Sequence, residues 1–432
     1  MPRGPRNVGV SFGARSLTSF GSVYLLHRFF SRLGLKNAIA TGVRLPQRNN
    51  RYSVGEMVLA LIYPIILGLE RLETTHLLTH NGVFQYLTGL PAYPNATTLR
   101  RFLLRLAPAA LPKLRRVHDR FRQKLVAHEQ RRRFFFDLDS TVLVVYGHQE
   151  QARRGYNPGK RGRLSYHPLL CFEGGSRDYW AGALRPGDAH MAQGALELLD
   201  ACFAQLPKDI RRVDVRGDKG FYDRKIVAAL EARHAGFVIV ARLTRPIKAR
   251  LSGLRYTEHR GGVETAEFQY QPHRWPRRYR CVVIRRSLAE DPSVQLTLFT
   301  VKRHTYQVLV TNLDLQPVHL WRFYNDRAAL ELIIRELKGD YPLGRIPTKH
   351  FFANEAYFHL LLFAYNLVQW FKRLCLPEAC HAMTLETLRS RVLLAPAQLT
   401  RTHNRPILQL PENFPYQEAW KYALKKTARL KL

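Results

Sequence analysis

The chain has 432 residues, 46% hydrophobic and 23% charged, which excludes a wholly disordered or fibrous protein and allows about two to four domains. Lys plus Arg number 68 against 33 for Asp plus Glu; a net charge of +35 implies a polyanionic partner, nucleic acid first and an anionic membrane surface second. The longest apolar run, Met57 to Leu69, is shorter than the roughly 20 residues of a span, the start MPRGPRNVGV lacks the apolar centre of a signal peptide, and 5 cysteines make no disulfide framework; no membrane partner and a reducing cytoplasm are therefore expected.

Residues 1–130 read as a helical N-terminal DNA-binding region, its apolar-periodic stretches broken at Gly34, Gly68, Gly82 and Pro94. In PNATTLRRFLLRL, Asn95, Thr97 and Thr98 are candidate N-caps, and Arg100, Arg101 and Arg105 share the polar side of the helix. That pattern suits a DNA-reading helix and equally an amphipathic surface helix. From Arg131 the texture changes, because FFFDLDSTVLVVYG is aromatic and β-branched and reads as strand. Further strands are expected at Leu169–Phe172 and Tyr179–Leu184, a helix at Met191–Leu206, a strand at Val213–Arg216, a helix at Asp223–His234 and a strand at Phe237–Ala241. Three strands, then helix, strand, helix, strand, is the order of an α/β, ribonuclease-H-like core over residues 131–242. Residues 243–315 read as a mostly β insertion. Residues 316–375 carry a helix at Trp321–Lys338 and another from Asn354, and residues 376–432 end in the basic tail WKYALKKTARLKL.

Cutting a phosphodiester without a covalent intermediate calls for two divalent metals about 4 Å apart, held by carboxylates inside an otherwise basic protein. Asp137 and Asp139 point to one side of the first strand, and Asp139 stands where the strand ends. Asp218, in VDVRGDKGFYD, sits at the C-terminal edge of another strand, with Asp214 and Asp223 as competitors. In WRFYNDRAALELIIRELKGD, the residues Tyr324, Arg327, Glu331 and Lys338 share one stripe if the segment is a continuous helix; Glu336 lies off it. A solvated face with an ion pair between Arg327 and Glu331 has the same spacing.

The spacing Tyr324-x2-Arg327-x3-Glu331-x6-Lys338 matches the YREK motif of the IS-four-like superfamily of bacterial insertion-sequence transposases, which are of the DDE type. The DST at 139–141 and the GDKGFYD at 217–223 resemble that superfamily's first two acid motifs. Residues 146–172, YGHQEQARRGYNPGKRGRLSYHPLLCF, are similar to the thirteen-eighty group, where Gly is commoner than Gln151. The resemblance covers about residues 130–372. It implies that Asp139, Asp218 and Glu331 bind two Mg²⁺, with Mn²⁺ able to substitute, and that Tyr324, Arg327 and Lys338 contact transposon-end phosphates. It also implies cutting at the terminal inverted repeats, joining to target DNA, a hairpin intermediate, a homodimer on double-stranded DNA and a bacterial, nucleoid-associated location. The alternative is a catalytically inactive, sequence-specific DNA-binding protein descended from such an enzyme.

Two further basic clusters are candidate DNA contacts. In PHRWPRRYRC, Arg274, Arg277 and Arg278 interleave with Trp275, whose ring suits either base stacking or packing in a β-hairpin. Arg153, Arg154, Lys160, Arg161 and Arg163 lie in a Gly-containing loop between the first strands. His148, His167 and His190 read as structural residues, and Cys375, Cys380 and His381 lack the second ligand pair of a zinc site.

Overall fold

The computed structural model describes residues 10–13, 15–46, 51–106, 108–287 and 304–432. The start of the MPRGPRNVGV segment and residues 288–303 of the expected insertion lie outside the described residues. The chain divides into two compact units, one from Met1–Val117, Gly339–Thr348 and Phe352–Leu432, the other from His118–Lys338 and Lys349–Phe351.

Unit 1 begins with the short strand β1 (Leu17–Thr18), followed by α1 (Val23–Arg32), α2 (Leu35–Gly42) and α3 (Val54–Leu67). A capping box starts α3: the Ser53 hydroxyl accepts from the Glu56 N–H at 3.2 Å, and the Glu56 carboxylate accepts from the Ser53 N–H at 2.8 Å. The short α4 (His76–Thr79) and α5 (Gly82–Thr88) lead to α6 (Ala96–Leu106) and α7 (Leu111–His128), which continues into unit 2. Of the three candidate caps of α6, Asn95 makes the bond, accepting from Thr98 N–H at 2.8 Å. Rings from separate helices tie the core together, Phe30 to Tyr63 at 5.6 Å and Tyr63 to Phe84 at 5.7 Å.

Unit 2 follows with β2 (Arg133–Ser140), β3 (Leu143–Val144), β4 (Arg153–Arg154), β5 (Leu164–Tyr166), β6 (Leu169–Glu173), β7 (Tyr179–Ala183), α8 (Ala195–Phe203), β8 (Arg212–Gly217), α9 (Arg224–Ala232) and β9 (Gly236–Val240). The large strands and the helices fall where the sequence pattern puts them. A helix α10 (Arg245–Leu251) and strands β10 (Thr257–His259), β11 (Val263–Tyr270), β12 (Tyr279–Ser287) and β13 (His304–Thr311) come next. One nine-stranded sheet runs in the order β10-β11-β12-β13-β9-β8-β2-β6-β7, and β3, β5 and β4 form a separate small sheet. β2 pairs antiparallel with β6 and parallel with β8, so the chain changes direction of travel through the sheet between β2 and β8.

Strands β10–β13, in the range read as a mostly β insertion, lengthen this sheet. β13 pairs antiparallel with β9, and β12 buries Cys281, Val282, Val283 and Ile284 on both its faces, as an interior strand does. On one face of the sheet Phe134, Phe136, Leu138, Val213 and Val215 pack with α8 and α9, each fully buried ring or branched chain worth about 1.5–3 kcal/mol.

Two helices, α11 (Pro317–Asn325) and α12 (Ala328–Gly339), replace the single helix expected at Trp321–Lys338. The N–H groups of Arg327, Ala329 and Leu330 bond to carbonyls three residues back, which tightens the turn and interrupts the α-helical geometry. The helix α13 (Phe351–Cys375) is buried on nearly all sides, and from Phe352 onward it belongs to unit 1, where Phe371 lies 5.4 Å from Phe29. The chain ends with α14 (Leu385–Leu388), β14 (Ala397–Thr402), β15 (Arg405–Gln409) and α15 (Gln417–Arg429). β14 pairs with β1, and Trp420 of α15 is buried with its Nε1 donating to Ser22 Oγ at 2.8 Å, so the apolar side of the basic tail is occupied within unit 1. Among the described residues no helix is long and apolar enough to cross a membrane.

Candidate active site

Alternation along a strand sends every second side chain to the same face. Because Phe134, Phe136 and Leu138 enter the core beneath α8 and α9, Asp137 and Asp139 emerge on the opposite face, as Asp214 and Arg216 do from β8. The parallel register sets Asp137 beside Arg216 and Leu138 beside Gly217, so β2 and β8 end side by side. Asp139 and Asp218 stand at those adjacent C-terminal edges, where the sheet's direction of travel reverses and α/β proteins open a crevice.

The competing acids are engaged elsewhere. Asp137 is bound by both Arg216 Nε and Nη2, at 2.6 and 2.8 Å. Asp214 accepts from Arg212 Nε at 2.8 Å, and Asp223 caps α9 by accepting from Lys225 N–H at 2.8 Å. Asp218 accepts a single backbone bond, from Gly220 N–H at 2.9 Å. Glu331, in the first turn of α12, is exposed, and its charge bears on both Asp139 and Tyr324.

Asp139 carries the electrostatic signature of this site. Burial pushes its carboxyl up to about 6; Arg327 and the Ser140 N–H pull against that, while the charges of Asp218 and Glu331 add to it. Arg327 Nη2 donates to Leu138 O at 2.9 Å and lies 3.2 Å from Asp139 Oδ2. Burial works to lower the Arg327 guanidinium, but Asp139, Tyr324 and Asp218 outweigh it and hold it above its ordinary value. Burial raises the Tyr324 phenol and lowers the Lys338 ammonium, the latter against the attraction of Asp139. Two buried polar atoms here have no hydrogen-bond partner, Arg327 Nε and Ser140 Oγ. Unpaired buried donors invite a ligand with acceptor oxygens.

The helix break changes how the four motif residues are presented. Tyr324 belongs to α11, Arg327 to the turn, and Glu331 and Lys338 to α12, so they are not one straight helical stripe. Tyr324 and Arg327 are only 8% and 6% exposed, and line the floor of the site instead of projecting from it. Among the described residues no three His, Cys, Asp or Glu side chains are grouped closely enough to form a metal cluster. Asp139, Asp218 and Glu331 share one electrostatic neighbourhood without touching. Their oxygen donors suit Mg²⁺, and a cation among them would relieve the strain on Asp139. The His381 imidazole bonds to Leu376 O at 3.1 Å. His167 likewise bonds to Ala189 O, at 3.0 Å.

The basic clusters meet different fates. Trp275 is buried, its ring 5.0 Å from that of Tyr222 in a tilted pair and edge-on to Tyr279 at 5.2 Å, so it is a packed ring. Arg277 pairs with Glu231, while Arg274 and Arg278 are exposed. Arg153, Arg154, Lys160, Arg161 and Arg163 are all exposed on the small sheet and its loop, with Arg153 3.1 Å from Asp188. Tyr146 and Tyr156 of the same segment, not among the residues expected to contact DNA, expose their rings, and Lys160 Nζ donates to Tyr146 OH at 2.6 Å. Their interleaving with five basic residues was the available signal. On α6, Arg100 pairs with Glu73, and Arg101 is exposed.

No curated protein matches the chain. Among solved structures, a cryo-EM structure of a piggyBac transposase synaptic complex with hairpin DNA aligns over 82% of this chain and 78% of its own, at 12% identity and a TM-score of 0.41. The family described as "Transposase DDE domain group 1" matches residues 2–432, which is virtually the whole sequence, and this chain belongs to that family.

Proposed function

We propose that this protein is a DNA transposase that cuts DNA at transposon ends and joins them to target DNA, with Asp139, Asp218 and Glu331 as its metal-binding catalytic triad. The observation that carries the reading is the meeting of the three acids, two at adjacent strand ends and one on α12: burial raises Asp139, and the charges of Asp218 and Glu331 add to it. The order of the strands from β7 to β9, with the switch between β2 and β8, supports a ribonuclease-H-like core. The four-residue YREK spacing supports the IS-four-like superfamily, and the segment 146–172 its thirteen-eighty group.

Divalent ions held by these carboxylates, Mg²⁺ or Mn²⁺, would activate the attacking oxygen and stabilise the leaving one. The chain's own groups do the positioning. Arg327 Nε and Ser140 Oγ supply unpaired donors beside Asp139 for a phosphate oxygen. Lys338 adds positive charge that interacts with Asp139. Tyr324 packs the floor, excluding water behind the scissile group. Water's oxygen joins the phosphorus and the 3′-hydroxyl of the transposon end is released. That hydroxyl then attacks a target phosphate, exchanging one phosphodiester for another. In unit 2 the exposed Arg153, Arg154, Lys160, Arg161, Arg163, Arg274 and Arg278 offer charge to the DNA backbone, Arg101 does so separately on unit 1, and two copies of the chain would hold two ends.

The test uses DNA flanking the reading frame, with its inverted repeats, and Mg²⁺. Asp139→Asn, Asp218→Asn and Glu331→Gln should each abolish nicking while gel shifts persist. Nicking by all three variants, or shifts without nicks from the wild type, would refute the reading.

A further inference from the structure

The buried pair Asp137–Arg216 takes no part in the chemistry proposed above, yet it joins the three segments that deliver the acids. Asp137 lies two residues before Asp139 on β2, and Arg216 two residues before Asp218 on β8, directly across the parallel ladder. Both are nearly inaccessible, at 2% and 3% exposure. All the guanidinium's arms are used: Nε and Nη2 bind the two carboxylate oxygens at 2.6 and 2.8 Å, and Nη1 donates to Phe323 O at 2.6 Å. Phe323 is the residue before Tyr324, at the end of α11. Its ring lies 4.9 Å under the same guanidinium and 5.5 Å edge-on to Phe135 of β2. Buried, and with all three of its nitrogens engaged, Arg216 is therefore not presented to DNA.

We propose that Asp137 and Arg216 are positioning residues, a three-way brace that fixes β2, β8 and α11 in the relation that aims Asp139, Asp218 and Glu331 at one point. The inference rests on the transposase reading. A bidentate, planar pair restrains two strand ends in distance and angle, which an apolar contact of equal volume does not. The third arm transfers that restraint to the start of the helix break. There Arg327 returns the tie in the opposite direction, from the turn to Leu138 O. The two arginines thus hold the α11–α12 turn to β2 from both sides of Asp137. Space for the brace is left by Gly174: a Cβ there would stand 2.5 Å from Arg216 Nη2 and 2.8 Å from Asp137 Oδ2.

Buried ion pairs add little net stability over apolar pairs of similar size, so the two roles separate experimentally. The double variant Asp137→Leu/Arg216→Met should keep the wild-type melting transition and end-DNA affinity, but cut about 10–100-fold more slowly in single turnover. Its half-maximal rate should need more Mg²⁺, a shift that a purely structural role does not produce. Gly174→Ala keeps both charges while displacing the pair, and serves if the double variant does not fold; it should slow cutting in the same direction. A folded double variant or Gly174→Ala protein that cuts at the wild-type rate, with the wild-type Mg²⁺ requirement, overturns the brace while leaving the triad intact. If wild-type protein itself does not cut the end DNA, the reading beneath it falls too.

Discussion

Replacing Asp139 by Asn in the metal-free protein should make it more stable at neutral pH, even though it removes a group essential for cutting. The carboxyl rises from 3.8 to about 6 on folding, so between those values the folded state holds a proton that the unfolded chain has lost. Stability therefore falls as pH rises through that window and levels off above it. The rise corresponds to about 3 kcal/mol at pH 8, at about 1.4 kcal/mol per pKa unit. An amide imitates the protonated acid, keeping an acceptor for the Ser140 N–H, so the variant should recover most of that difference. In urea denaturation, Asp139→Asn and wild type should be near equal at pH 4 and separate by up to about 3 kcal/mol at pH 8. Adding Mg²⁺ at pH 8 should stabilise the wild type and narrow the gap, because a cation offsets the crowding that the variant lacks. A gap that is absent, or that does not change with pH, would refute the argument that the acids are desolvated and mutually repelling.

Other perturbations follow from the packing. Trp275→Ala should cost about 3–5 kcal/mol in unfolding while the folded fraction still binds DNA, as expected of a core ring; loss of DNA affinity at unchanged stability would restore a stacking role. Arg161→Ala should weaken DNA binding across sequences and lower the slope of log affinity against log salt by about 1, whereas an unchanged slope would remove that loop from the DNA surface. Trp420→Ala should lower the melting temperature by breaking the packing of α15 on α1 and the bond to Ser22; if it instead changed only the oligomeric state in light scattering, the tail would be a dimer element.

Much of this arrangement could be read from the residues because it depends on local pattern. Alternating apolar and aromatic positions marked β2, β8 and β9, and an acid just past each run marked Asp139 and Asp218. The helix break could not be read, because the residues from Pro317 to Gly339 suit one continuous helix, and what turns the chain is a contact of Arg327 with Leu138 O far away in sequence. The brace was hidden for the same reason. Asp137 looked like a second candidate ligand until the register placed Arg216 across from it. Trp275 looked like a stacking ring because its partner, Tyr222, lies outside the basic segment that drew attention to it. That the strands of residues 243–315 join the main sheet could not be read, because pairing of β13 with β9 is a long-range choice that strand propensity does not specify.

The central claim is that Asp139, Asp218 and Glu331 share divalent metal. Substituting Fe²⁺ for Mg²⁺ and adding peroxide generates short-lived radicals that cut the polypeptide next to the bound ion, and mass spectrometry locates the cuts. Backbone cleavage is expected near residues 139, 218 and 331, suppressed by excess Mg²⁺ and lost in Asp139→Asn. Cleavage confined to other parts of the chain, or the same pattern in the variant, would contradict it.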